Sequence, residues 1–284
     1  MSVTAPSTAA DLVQQLAKDL NSGDLELPTF PEAVVRIQRA LQVPEVKIND
    51  IVRIVSSDPA LAARILQLAN SAALRTTTKE IIDVRKAVIH MGFKLVQSTA
   101  VSFALRQMER ADGLSPGAKA ELKAIWTESV ALAALCYVIA KQYTKLNGEE
   151  AMLCGLLSVL GRLYIFMKWQ EYGEVGWDEL AEILNEWHPA IAKAIAETWG
   201  MSSELAQALE NQLEPDIPVS EEATLTEVLA ASRLIHQHEV AQQPLDPMLY
   251  PLLQRLGIAG ANDQEVSLAE HADQISAIRN ALMK

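Results

Sequence analysis

Ser57-Asp58-Pro59-Ala60-Leu61-Ala62-Ala63-Arg64-Ile65-Leu66-Gln67-Leu68-Ala69-Asn70-Ser71-Ala72 is the stretch that decides the fold. Asp58-Pro59 is a sharp helix start. The carboxylate at the N-cap accepts the free N–H groups of the first turn, and proline at the next position gives up an N–H that had no partner there. Leu61, Ile65 and Leu68 then share one face at helical spacing. Asn70 ends the run, so the segment reads as a short helix with one buried side.

The same pattern extends in both directions. Upstream, Val34, Ile37 and Leu41 recur at helical spacing after Pro31, and Asn49 is placed to cap a short helix burying Ile51, Val52 and Val55. Downstream, Val84 and Val88 mark a helix stopped by Gly92, and a longer one follows from Phe93 to Arg110 with Val96, Ala100 and Phe103 inward. Residues 111–117 (ADGLSPG) break the pattern and are the best boundary candidate. A long helix is expected from Ala118 to Leu146, with Leu122, Ile125, Ser129, Ala133 and Cys136 along one seam. Asn147-Gly148 turns the chain into an apolar helix over Ala151 to Met167. Pro189 opens another helix that Gly200 closes, and Ser202 or Ser203 caps the next. A helix from Glu221 to Val240 follows. Ser267-Leu268-Ala269-Glu270 reads as a capping box for a last helix burying Leu268, Ile275 and Ile278. No strand-like alternation and no fixed-period repeat is visible. The expectation is an all-α chain in two helical lobes.

Composition narrows the function classes. The chain has 284 residues, a hydrophobic fraction of 50% and a net charge of −12, which excludes a disordered, collagenous or disulfide-stapled protein. Cys136 and Cys154, in apolar helical runs, read as free buried thiols in a reducing compartment. Residues 1–10 lack the basic and apolar regions of a secretory signal. The run Ala151 to Met167 is short for a membrane span and holds Arg162, so a buried core helix is expected and no membrane. Residues 25–110 carry 12 Lys/Arg against 8 Asp/Glu, and residues 111–284 carry 11 against 25. That split implies two lobes, and the acidic larger part argues against a nucleic-acid coat.

The search for chemistry returns little. His236 and His238 lie two apart on an expected helix and point to different faces, so they cannot share one ion from there. No metal-protease, zinc-finger, EF-hand, phosphate-loop or serine-elbow motif occurs. The Glu149-Glu150 and Glu221-Glu222 pairs read as helix-start charges.

Leu27-Pro28-Thr29-Phe30-Pro31, the run from Ser57 to Ala72 and Ala87-Val88-Ile89-His90-Met91-Gly92 resemble the HDOD domain, the "HD-related output domain" of bacterial signalling proteins. The resemblance spans about Leu25 to Pro215. It implies a helical N-lobe over residues 25–112 and a lobe similar to HD-type metal phosphohydrolases over 113–215. Residues 1–24 would be an N-terminal helix or tail, and 216–284 a C-terminal helical extension packing on the HD-like lobe. The positions that resemble the HD metal ligands carry other residues. Glu128 stands in Trp126-Thr127-Glu128-Ser129, Ser158 and Val159 in Gly155-Leu156-Leu157-Ser158-Val159-Leu160-Gly161, and Asn211 and Gln212 in Ala208-Leu209-Glu210-Asn211-Gln212. His188 alone matches a histidine of the pattern. One imidazole and one carboxylate fall short of what a divalent ion needs. No catalytic residue, metal or cofactor is therefore expected, and Glu128 and His188 are read as a hydrogen-bonded or ion-paired contact.

Asp58, Arg64, Asn70 and Ser71 of the N-lobe, with Glu128, Ser158 and His188 of the second, are the candidates for binding a partner or ligand. The plainer alternative is that Asp58 caps its helix, Asn70 ends it, and Arg64 pairs with a carboxylate of the other lobe. The five tryptophans, Trp126, Trp169, Trp177, Trp187 and Trp199, fall in the second lobe, where core packing competes with an aromatic cleft for a nucleotide base. The resulting expectation is a cytoplasmic, non-catalytic signalling adaptor for a sensor kinase, response regulator or cyclic-dinucleotide enzyme. The alternatives are a regulator holding a nucleotide or small anion in the HD-like cleft, and a residual metal-dependent phosphohydrolase. Nucleic-acid binding has only the basic balance of residues 25–110 behind it. The sequence leaves the oligomeric state open.

Overall fold

The computed structural model describes residues 8–23, 25, 31–72, 74, 79–110, 115–172, 176–214, 221–246, 250–258 and 267–283. Leu27 to Phe30 and Ala111 to Leu114 lie outside them, as does the connector Pro215 to Ser220. Among the described residues the fold is all-α, with no strand. The chain opens with α1 (Ala9–Ser22). The N-lobe follows as α2 (Glu32–Leu41), α3 (Ile48–Ser56), α4 (Pro59–Ala69) and α5 (Val84–Glu109). Residues 113–215, expected as the second lobe, hold α6 (Pro116–Tyr143), α7 (Gly148–Leu157), α8 (Leu160–Tyr172), α9 (Trp177–Thr198) and α10 (Ser203–Glu210), and the expected extension begins with α11 (Leu225–Ala241). A short α12 (Pro251–Arg255), a 3₁₀ turn over Ser267–His271 and α13 (Ala272–Met283) complete it.

Local chemistry sets most boundaries as read. Asp58 accepts the Ala60 and Leu61 N–H groups at 2.9 and 3.0 Å, and Leu61, Ile65 and Leu68 are fully buried. Gly92 adopts φ 71°, open to glycine alone at little strain, and kinks α5 where the stop is expected. Ser115, Asn147 and Ser202 cap α6, α7 and α10.

Five readings need correction. Asn49 lies inside α3 and accepts a hydrogen bond from Arg85, while Lys47 holds the cap position and Val52 is only half-buried. The apolar run from Ala151 breaks at Ser158-Val159 into α7 and α8, and Gly161, near the start of α8, lies against the α9 backbone. A Cβ there would lie 1.9 Å from the His188 carbonyl oxygen. Pro189 lies inside α9 rather than at its start. The helix expected from Glu221 starts at Leu225, where Thr224 and Glu227 form a capping box, so Glu221-Glu222 precede it. Ser267 to Glu270 belong to the 3₁₀ turn ahead of α13, not to a capping box; Leu268, Ile275 and Ile278 are buried.

The buried side chains form one continuous cluster through both lobes. The second half of α5 packs on α6 and α7 and joins the lobes, and α1 lies on α8 and α9, where buried Asp19 accepts a 2.7 Å bond from Tyr164. The helix α13 packs along α6. Among the described residues three helical stretches are long and apolar enough to cross a membrane, at Val84–Glu109, Pro116–Tyr143 and Gly148–Gln170. Their most apolar windows are 72%, 78% and 83% buried inside the fold, so packing accounts for that hydropathy.

Candidate functional site

The second lobe and the C-terminal extension bring polar groups from five elements to one place. Glu128 of α6 forms ion pairs with Arg162 of α8 and, at 3.7 Å, with Arg233 of α11. Arg162 also lies 3.5 Å from Glu121, and Arg233 donates to the Gln212 Oε1 at 3.2 Å. Gln212, in the turn after α10, donates in turn to the Leu209 carbonyl at 2.7 Å. His188 of α9 is buried beside this cluster. Burial first, and then the charges of Arg233 and Arg162, lower its pKa to about 3, so the ring is neutral at physiological pH. Its Nδ1 has no protein partner.

The donor set does not fit a divalent ion. Ser158 is fully buried and donates to the Gly155 carbonyl at 2.8 Å, and Val159 offers no donor atom. Glu128 is already held by two guanidinium groups, and Asn211 serves as the C-cap residue of α10. Among the described residues no group of three or more His, Cys, Asp or Glu side chains comes together. The positive charge facing Glu128 is supplied by the chain's own arginines, which raise the electrostatic barrier to a cation.

The N-lobe candidates do not form one patch. Asp58 caps the start of α4. Asn70, at the other end, donates to the Leu66 and Ile81 carbonyls at 2.9 and 2.7 Å and accepts the Ile81 N–H at 2.8 Å, which pins the lead-in to α5. Ser71 donates its backbone N–H to the Leu68 carbonyl at 3.0 Å, and its buried hydroxyl has no protein partner. Arg64 departs from expectation. Among the described residues it meets no carboxylate; it donates to the Leu282 carbonyl of α13 at 2.6 Å and to Gln67 Oε1 at 3.1 Å.

The remaining candidates resolve into packing. Cys136 and Cys154 are free and fully buried. Burial pushes the Cys136 thiol up to about 12 and raises Cys154 well above the usual range, so neither is an available thiolate. The tryptophans do not line one cleft. Arg106 lies over Trp126 at 4.9 Å, Trp169 and Trp177 make tilted ring contacts with Phe166 and with each other, and Trp187 and Trp199 pack against the core. A cavity of about 380 Å³ is lined in part by Trp199 together with Lys94, Gln97, Glu150 and Ser202.

Residues 27–215 match the HDOD domain. The chain belongs to the HDOD family. Its fold is similar to a crystal structure from Shewanella amazonensis SB2B, provisionally described as a metal-dependent phosphohydrolase. The TM-score is 0.72 at 21% identity, covering 96% of this chain and 99% of that one. A structure from Marinobacter aquaeolei VT8, provisionally described as a signal transduction protein, matches with a TM-score of 0.61 at 22% identity. That match covers 97% of this chain and 66% of the other. At such identities the likeness concerns the fold. An uncharacterized protein of Treponema pallidum (strain Nichols) is 30% identical over 144 residues, 49% of this chain and 26% of that protein. The chain thus matches about a quarter of that curated relative.

Sequence reasoning about this HDOD chain missed Arg162 and Arg233 as the partners of Glu128. A signal existed for Arg162, because a guanidinium inside the apolar run 151–167 needs an acidic partner when buried. Arg233, in a helix with polar residues on several faces, gave no such warning.

Proposed function

We propose that this HDOD chain is a non-catalytic adaptor of a bacterial signalling pathway, working in the cytoplasm as a helical platform for a sensor kinase, a response regulator or a cyclic-dinucleotide enzyme. HDOD membership supports a signalling-related role. The observation that carries the non-catalytic part is the Arg162–Glu128–Arg233 cluster at the positions that resemble an HD metal site. Without a bound metal, such a site generates no hydroxide at neutral pH. The regulator reading, with an anion or nucleotide in the same cleft, is weaker because Glu128 and Gln212 already engage both guanidinium groups.

The test combines metal analysis with turnover. Protein incubated with manganese, magnesium, nickel and ferrous iron and then desalted is expected to retain less than one metal per chain, and to release no product from bis-p-nitrophenyl phosphate or cyclic dinucleotides. Metal-dependent turnover that Glu128→Gln abolishes would sink the proposal. On the binding side, cross-linking to purified members of the three named protein classes is expected to capture one of them.

A further inference from the structure

The carbonyl end of α13 is held by two arginines and a serine of the N-lobe. Arg64, only 6% exposed, and Ser102 both donate to the Leu282 carbonyl, at 2.6 and 3.3 Å, and Arg106 donates to the Met283 carbonyl. Arg106 is steadied over the Trp126 ring. Among the described residues the acceptors of Arg64 are neutral, a glutamine side chain and a helix carbonyl, and the charge of Arg106 acts on it. Arg106 feels the Glu109 carboxylate and Arg64 ends on neutral acceptors, and together the two guanidinium groups match the partial negative charge of a helix C-terminus. Beside them α13 lays Ile275, Ile278 and Leu282 into the core along α6. Arg64, Ser102 and Arg106 all fall within the family-matched residues 27–215, whereas α13 lies outside them.

We propose that Arg64, Ser102 and Arg106 form a receptor for the carboxyl end of an amphipathic helix, which α13 fills in cis and a partner helix fills in trans. The partner would carry apolar residues at i, i+3 and i+7 and end in unbonded carbonyls over the two arginines, a helix-in-groove mode of recognition. This deepens the adaptor reading and rests on it. The cis helix holds a high effective concentration, so trans binding is masked until α13 is loosened.

The probe is a fluorescein-labelled peptide of residues 267–284, read by anisotropy against the full chain. The Ile278→Asp chain is expected to bind it at least about tenfold more tightly than the native chain, and adding Arg64→Met to reverse most of that gain. A folded Ile278→Asp chain that binds no better than native overturns the proposal, as does equal binding with and without Arg64→Met. Should Ile278→Asp lose its helical circular dichroism, the native chain carries the test. Excess isotope-labelled peptide must then speed hydrogen exchange in residues 272–283, and unchanged protection there overturns the proposal. No signalling protein enters this assay, so its failure is separate from a failure of the adaptor reading.

Discussion

Burial first, and then two guanidinium groups, keep the His188 ring neutral, and that adds one contribution to how the protein responds to acid. Its folded pKa is about 3, below the unfolded value near 6.5, so the unfolded chain takes up the proton first. The contribution of His188 to stability is complete above about pH 6.5 and falls by about 1.4 kcal/mol per pH unit as the pH drops toward 3. Urea unfolding of His188→Asn is expected to show a pH slope shallower by that amount between about pH 6 and 4. An unchanged slope would mean that the native ring titrates like a free one. At this scale the sequence was legible wherever a residue acts on its own backbone: Asp58 as N-cap and Asn70 at the helix end follow from local rules. It was not legible wherever the partner is remote in sequence. Arg64 was expected to find a carboxylate, and it found a carbonyl 218 positions away. Buried charge announces that a partner exists but not which one, because a helix end offers partial charge without any acidic residue to mark it.

Helix contacts in the second lobe depend on two glycines. Gly155 brings α7 so close to α6 that a Cβ would lie 2.7 Å from the Ala133 backbone, and Gly161 sits against the His188 carbonyl. In both cases the obstacle is backbone, which cannot rotate away. Gly161→Ala is expected to cost about 3 kcal/mol or more, above the usual range for overpacking, and to lower the thermal midpoint accordingly. A midpoint within a degree of native would contradict the close approach. Element existence was legible from periodicity and caps, and the break at Ser158-Val159 was not. An apolar run that is buried on all sides has no polar face to reveal where one helix stops and the next begins. Pro189 misled for a related reason. Proline is favoured in a first turn, but a helix packed over much of its length can bear the lost hydrogen bond in its interior.

Over the whole molecule, the two-lobe reading from charge meets a core that does not stop at the lobe boundary. All five tryptophans lie between residues 126 and 199, so their fluorescence reports the second lobe, while circular dichroism reports both. Because α5 packs on α6 and α7, the two signals are expected to trace one urea transition with coincident midpoints. A second dichroism transition without a fluorescence change would show the N-lobe melting alone. Charge asymmetry suggested two lobes along the chain, but charge sits on surfaces and says nothing of whether two interiors are separate, and the buried side chains form one cluster. The apolar length of α5, α6 and the α7–α8 stretch bears on how the chain is made. Synthesis proceeds from the N-terminus, so the face of α6 that α13 covers waits for residues that emerge far later. A half-made chain would therefore present the ribosome's surroundings with greasy segments resembling those of a membrane protein. The interval between the making of α6 and the arrival of α13 is then the time in which aggregation competes with folding.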